Sequence, residues 1–130
     1  MTSPVALRQL FLGGARSGKS GLAEQAAMDS GLEVVYVATA EVNHGDEQGS
    51  MIHRVSMHKQ RRPSHWRLVE EPLALSKTLF ELDQTPCCVL VDCLTLWLSN
   101  HLCGPSRDLD ATLDQLIMQV SNTRHHLILV

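Results

Sequence analysis

Residues 13–20 read Gly13-Gly14-Ala15-Arg16-Ser17-Gly18-Lys19-Ser20 and fit the phosphate-cradling pattern G-x-x-x-x-G-K-[ST] at every fixed position. A run from Leu7 to Leu12 precedes the stretch, and a helical pattern from Gly21 to Met28 follows it. Strand, loop, then helix is the context that such a loop requires. Glycines let the backbone wrap a phosphate closely, with its N–H groups pointing inward. A helix beginning near Lys19 adds the positive end of its dipole. In this pattern Lys19 reaches the β- and γ-phosphates, Ser20 holds Mg²⁺, and Arg16 is a further candidate phosphate contact.

Outward from the loop, β-rich runs alternate with helical segments. Leu7–Leu12 is the expected first strand and Ser20–Asp29 the first helix, with Gly31 as its C-cap. Glu33–Thr39, rich in β-branched residues, reads as a second strand. The polar stretch Glu41–Gly49 reads as a loop, and Ser50–Arg61 as a helix stopped by Pro63. Trp66–Val69 reads as a short strand, and Pro72 as the first turn of a helix ending near Leu82. Cys87–Val91 is an apolar strand leading to Asp92, and Thr95–Leu102 is helical. Leu109–Thr123 puts Leu109, Leu113, Leu116, Ile117 and Val120 on one helix face, and His126–Val130 begins another strand. The alternation predicts an α/β fold, three layers around a mostly parallel central sheet.

The chain is expected to form one nucleotide-binding domain over residues 1–130. The apolar strand from His126 has two readings: a central strand, or the edge of a sequence lacking its C-terminal part. The second is the expectation adopted. A formal net charge of -3 gives no global reason to expect nucleic acid or acidic lipid as a partner. The stretch Met1–Leu7 lacks the long apolar segment of a signal peptide, no run approaches membrane-spanning length, and the chain reads as cytoplasmic. Cys87, Cys88, Cys93 and Cys103 form no C-x-x-C pair and are expected as small buried hydrophobes.

Asp92 follows the apolar Val89-Leu90-Val91 at a strand C-terminus. That is the pattern of the acidic residue that holds Mg²⁺, directly or through water, in phosphate-loop enzymes. Asp92 also suits the N-cap of the next helix, and the two readings are compatible.

These stretches together resemble one family, the bifunctional adenosylcobinamide kinase / adenosylcobinamide-phosphate guanylyltransferases of coenzyme B12 biosynthesis. The resemblance rests on LFLGGARSGKS (Leu10–Ser20), VVYVATAE (Val34–Glu41), MIHRVSMHKQRRPSHWRLVEEP (Met51–Pro72) and VLVDCLTLWLSN (Val89–Asn100). It implies a P-loop NTPase-like (RecA-like) fold. It also implies phosphorylation of the cobinamide hydroxyl by ATP or GTP, then transfer of GMP from GTP onto that phosphate, giving adenosylcobinamide-GDP. Two other readings stand beside it: a different small-molecule phosphate-loop kinase without nucleotidyl transfer, or an inactive nucleotide-binding fragment.

The resemblance further implies a guanylylated histidine, and the matching position is His58. Neutral imidazole is nucleophilic near pH 7, and a covalent intermediate divides one difficult displacement into two easier ones. Arg54 and Arg62 lie four residues to either side of His58, so on a helix they share its face and flank the GTP phosphates. Taken alone, the spacing favours a surface histidine on an amphipathic helix, and it is the resemblance that turns the reading to His58 as nucleophile. The residue before His58 is Met57, where some family members carry another histidine. Glu70 is implied to lie near the guanine or ribose; its alternative is a helix N-terminal carboxylate. Trp66 is expected in the core, Thr39 either beside the site or as a cap, and His44, His101, His125 and His126 as solvated residues. The acidic residue usual in the family before Met51 is here Ser50, with Asp46 and Glu47 displaced upstream. The resemblance also suggests a homo-oligomer.

Overall fold

The computed structural model describes residues 7–14, 17–40, 63, 65–104 and 108–130. The expected helix over Ser50–Arg61 lies outside them, as do Ala15, Arg16, Arg54, His58 and Arg62.

Among the described residues the elements run β1 (Arg8–Leu10), α1 (Lys19–Asp29), β2 (Val34–Ala38), β3 (Arg67–Glu70), α2 (Leu75–Leu82), β4 (Cys88–Asp92), α3 (Leu94–Leu102), α4 (Leu109–Asn122) and β5 (His126–Leu129). The strands form one sheet in the order β1-β5-β4-β2-β3. Every pairing in it is parallel. The β5 strand therefore sits between β1 and β4. Of the two readings of this strand, the structure shows the central one, with Leu127 paired to Arg8 on one side and to Val89 on the other.

Strand alternation divides the core in two. Val35, Val37, Val89, Val91 and Leu127 face Leu75 and Leu79 of α2, Trp97 of α3 and Leu116 of α4. Val34, Tyr36, Cys88, Leu90 and Ile128 face the other way, onto Ala23 and Ala27 of α1 and onto Trp66. Two alanines at helical spacing let α1 approach the sheet closely. The result is the expected three-layer α/β arrangement, with Trp66 in the core as anticipated. Each fully buried Leu or Val contributes roughly 1.5–3 kcal/mol.

Several boundaries moved for local reasons. Pro72 does not open α2, because the Glu71 carboxylate accepts the N–H groups of Leu73 and Ala74 and holds a turn there. The helix begins at Leu75 instead. Ser30 is the C-cap of α1, and Gly31 follows it with φ +71, the left-handed conformation that glycine adopts without strain. On α4, Ile117 faces solvent, while Leu113, Leu116 and Val120 pack inward.

Polar groups also depart from expectation. His101 and His125 are buried rather than solvated. The His101 ring stands edge-on to Trp97, and its Nε2 lies 2.9 Å from the Leu73 carbonyl. His125 lies 2.9 Å from Thr123 Oγ1, which donates in turn to Asp83. His126 is half-buried. Cys87 and Cys88 are buried as expected, but Cys93 is half-buried and Cys103 is exposed.

Candidate functional site

The site lies at the C-terminal ends of the strands, where ligands collect in open parallel sheets. The loop from β1 delivers the candidate phosphate-binding residues to the start of α1. Gly18 is the N-cap of α1 with φ 83, a conformation that strains any side chain with a Cβ. A Cβ on Gly13 would run into the Ser17 hydroxyl. The Ser17 N–H donates to the Gly14 carbonyl at 3.2 Å and closes the turn.

Among the described residues no side chain caps the first turn of α1, and no acidic residue stands in it. The N-terminal N–H groups of a helix need acceptors, and an anion supplies them. Lys19 Nζ donates to the Gly13 carbonyl at 2.7 Å, which folds the ammonium back across its own loop. Ser20 is the second residue of α1, so its hydroxyl sits at the same helix end.

Asp92 is the last residue of β4. The N-cap of α3 is not Asp92 but Cys93, whose Sγ accepts the Leu96 N–H at 3.4 Å. That leaves the carboxylate for other partners, and the Tyr36 hydroxyl donates to Asp92 Oδ2. Burial pushes the Cys93 thiol pKa up; the Leu96 N–H opposes this, Asp92 adds to it, and Lys19 pulls it down. The phosphate-loop ammonium and the strand-end carboxylate thus both act on Cys93.

Thr39, fully buried just past β2, bridges to the same turn. Its Oγ1 accepts the Cys93 N–H at 2.9 Å and donates to the Cys93 carbonyl at 2.6 Å. This is a strap between two strand ends rather than a helix cap. Glu70 ends β3 and is exposed, two strands away from β4. Among the described site residues, Gly13, Gly14, Ser17, Gly18, Lys19 and Ser20 gather at the β1–α1 turn. Asp92 stands at the end of β4, across β5 from that turn, and Glu70 lies at the far edge of the sheet.

Sequence reasoning overlooked Tyr36 and Asn100. The signal for Tyr36 was available: a hydroxyl within a strand of buried apolar residues must find a partner. Asn100 stands three and one residues from Trp97 and His101, but nothing local marks what its amide would reach.

A family model described as cobinamide kinase / cobinamide phosphate guanyltransferase matches residues 9–130. The chain belongs to this family. Its fold is accordingly P-loop NTPase-like. The chain is 48% identical over 125 residues to the bifunctional adenosylcobalamin biosynthesis protein CobP of Pseudomonas aeruginosa, covering 95% of this chain and 70% of the relative. It is 39% identical over 102 residues to the bifunctional adenosylcobalamin biosynthesis protein CobU of Escherichia coli, covering 78% of this chain and 53% of the relative. To the protein of the same description in Salmonella typhimurium it is 38% identical over 94 residues, covering 72% and 49%. The match thus spans about half the length of the two CobU relatives. The cobinamide kinase family match takes in the phosphate loop, Tyr36, Asp92 and Asn100 alike. No helix among the described residues is long and apolar enough to cross a membrane.

Proposed function

We propose that the chain phosphorylates the hydroxyl of adenosylcobinamide with ATP or GTP, and then transfers GMP from GTP to the new phosphate. The observation that carries this reading is the helix end at Gly18–Ser20, with no side-chain cap among the described residues, bearing Lys19, and set at the strands' C-terminal ends where Asp92 also stands. In the first reaction the loop N–H groups and Lys19 hold the β- and γ-phosphates. Their fixed charge stabilises the transferring phosphoryl group without reorganisation.

Mg²⁺ is the metal proposed for both steps. The donors fit it, being hard oxygens: the Ser20 hydroxyl and the Asp92 carboxylate. No group of three or more His, Cys, Asp or Glu poised for a metal occurs among the described residues. A cation held partly by nucleotide phosphates and water needs no such cage. Bound there, it would neutralise charge on the nucleotide phosphates.

The second reaction is proposed to run through His58. A neutral imidazole nitrogen attacks the α-phosphorus of GTP, and pyrophosphate leaves. An oxygen of adenosylcobinamide phosphate then attacks the guanylyl phosphorus, the P–N bond breaks, and the imidazole is regenerated. Arg54 and Arg62 are proposed to hold the GTP phosphates, and Glu70 the guanine or ribose. The family resemblance supports these assignments. The enzyme is further proposed to work in the cytoplasm as a homo-oligomer.

The test is label transfer from α-³²P GTP to the purified protein, with γ-labelled GTP and His58→Ala as controls. Acid-labile, alkali-stable α-label that disappears in the variant is the expected result. Intact nucleotide binding without α-label would remove the guanylyl-histidine and leave a kinase.

A further inference from the structure

Tyr36 is the single tyrosine of the chain. It lies on β2, 3% exposed, with its ring packed among Val34, Cys88, Leu90 and Ile128 on the α1 side of the sheet. In the β2–β4 register Tyr36 pairs with Leu90, and Ala38 pairs with Asp92. Asp92 is therefore the diagonal neighbour of Tyr36 on the same sheet face, a span that an aromatic side chain covers. The phenol hydroxyl reaches along this diagonal and donates to Asp92 Oδ2.

We propose that Tyr36 is a positioning residue for the Asp92 carboxylate in its work on Mg²⁺. The inference rests on the reading that Asp92 serves that metal. Asp92 is only half-buried at a strand end, where a short side chain has rotamers to choose among. The tyrosine ring has no such freedom, being buried within the core cluster on the α1 side of the sheet. Its O–H donates to one carboxylate oxygen in a charge-assisted bond and sets the direction of the other. Mg²⁺ demands near-octahedral geometry, so a misdirected acceptor loses affinity even when its charge is intact. Partners that orient ligands in this way typically contribute about 10–100-fold in metal affinity.

Tyr36→Phe keeps the ring and removes only the donor. The measurement is binding of a fluorescent GTP analogue across a Mg²⁺ titration, with an EDTA baseline. The expected result is a Mg²⁺ midpoint raised about tenfold, nucleotide affinity in EDTA unchanged, and kcat restored by excess Mg²⁺. A purely structural hydroxyl would lower the melting temperature and leave the midpoint where it was. That outcome would overturn the proposal.

Asp92→Asn separates the two levels of the argument. A midpoint unmoved by Asp92→Asn would remove the metal reading of Asp92 itself. A midpoint moved by Asp92→Asn but not by Tyr36→Phe would remove Tyr36 alone. Should Tyr36→Phe fail to fold, 3-fluorotyrosine incorporated into the otherwise unaltered chain gives a single ¹⁹F resonance from Tyr36. With the GTP analogue bound, that resonance is expected to shift with the Mg²⁺ titration, and to stop doing so in Asp92→Asn. A resonance indifferent to Mg²⁺ would overturn the proposal.

Discussion

The Asn100 side-chain amide on α3 donates to the Thr39 carbonyl at 2.7 Å and ties the end of β2 to the helix that follows Asp92. The same amide donates to the Pro72 carbonyl at 3.1 Å. Trp97 Nε1 donates to the Leu73 carbonyl at 2.9 Å. One helix face thus fixes the turn that follows Glu70.

Asn100→Ala is expected to destabilise the fold by about 1–3 kcal/mol, because two half-buried carbonyls lose their donor. Asn100→Asp should do at least as much harm, since a carboxylate only accepts. Urea midpoints at constant m-value measure both. A neutral result for Asn100→Asp would show that water replaces the amide at this turn.

Lys19→Ala is expected to lower kcat for phosphoryl transfer by about 10²–10³, the usual magnitude for removing one preorganised charge donor. The Lys19–Gly13 hydrogen bond is exposed, so the nucleotide-free melting temperature should scarcely move. The rise in melting temperature produced by Mg·GTP should shrink with the lost affinity. Gly18→Ala should reduce nucleotide affinity through the backbone instead, because φ 83 is strained for alanine.

Burial pushes the Cys87 thiol from 9.0 up to about 11, with the neighbouring Cys88 adding to the shift. Between these values the unfolded chain releases the proton and the folded chain keeps it. This group's contribution to stability is therefore constant below pH 9 and falls as pH rises toward 11. Cys87→Ala should flatten that part of the stability–pH curve. In the native protein, alkylation should strike the exposed Cys103 first and leave Cys87 and Cys88 protected until the chain opens.

Asp83 caps α2 at the opposite end of the sheet from Asp92. Its Oδ1 accepts the Arg124 N–H at 2.6 Å and the Thr123 hydroxyl at 3.2 Å. Asp83→Ala should cost about 1–3 kcal/mol and leave nucleotide affinity unchanged. A melt paired with a nucleotide titration checks both halves. A change in affinity would mean that the two sheet ends are coupled.

Among the described residues, the element types, the β1–α1 turn and the strand end at Asp92 were legible in the sequence because their signals are local. Alternating apolar runs, glycines at fixed spacing and an acid after Val89-Leu90-Val91 need no partner to be recognised. Strand order was not legible, since nothing within His126–Leu129 says that it enters between β1 and β4. The two buried histidines were misread for a related reason. His101 meets Leu73, 28 residues away, and His125 meets Leu79, 46 residues away. Tyr36 and Asp92 are 56 residues apart, and only the sheet register joins them.

The placement of β5 also has a temporal consequence. Arg8 and Leu127 are partners separated by 119 positions, the same separation as the Leu7–His126 hydrogen bond. The strand that anchors the phosphate loop thus cannot pair until a neighbour far along the chain has been made. Until residues 126–129 emerge, β2, β3 and β4 can pair among themselves while β1 waits unclaimed. Closing so long a loop is slow, because its entropy is surrendered before its contacts repay it. Competence to hold a nucleotide should therefore wait for residues 126–129 and then appear abruptly, and until then β1 is the stretch most in need of shelter.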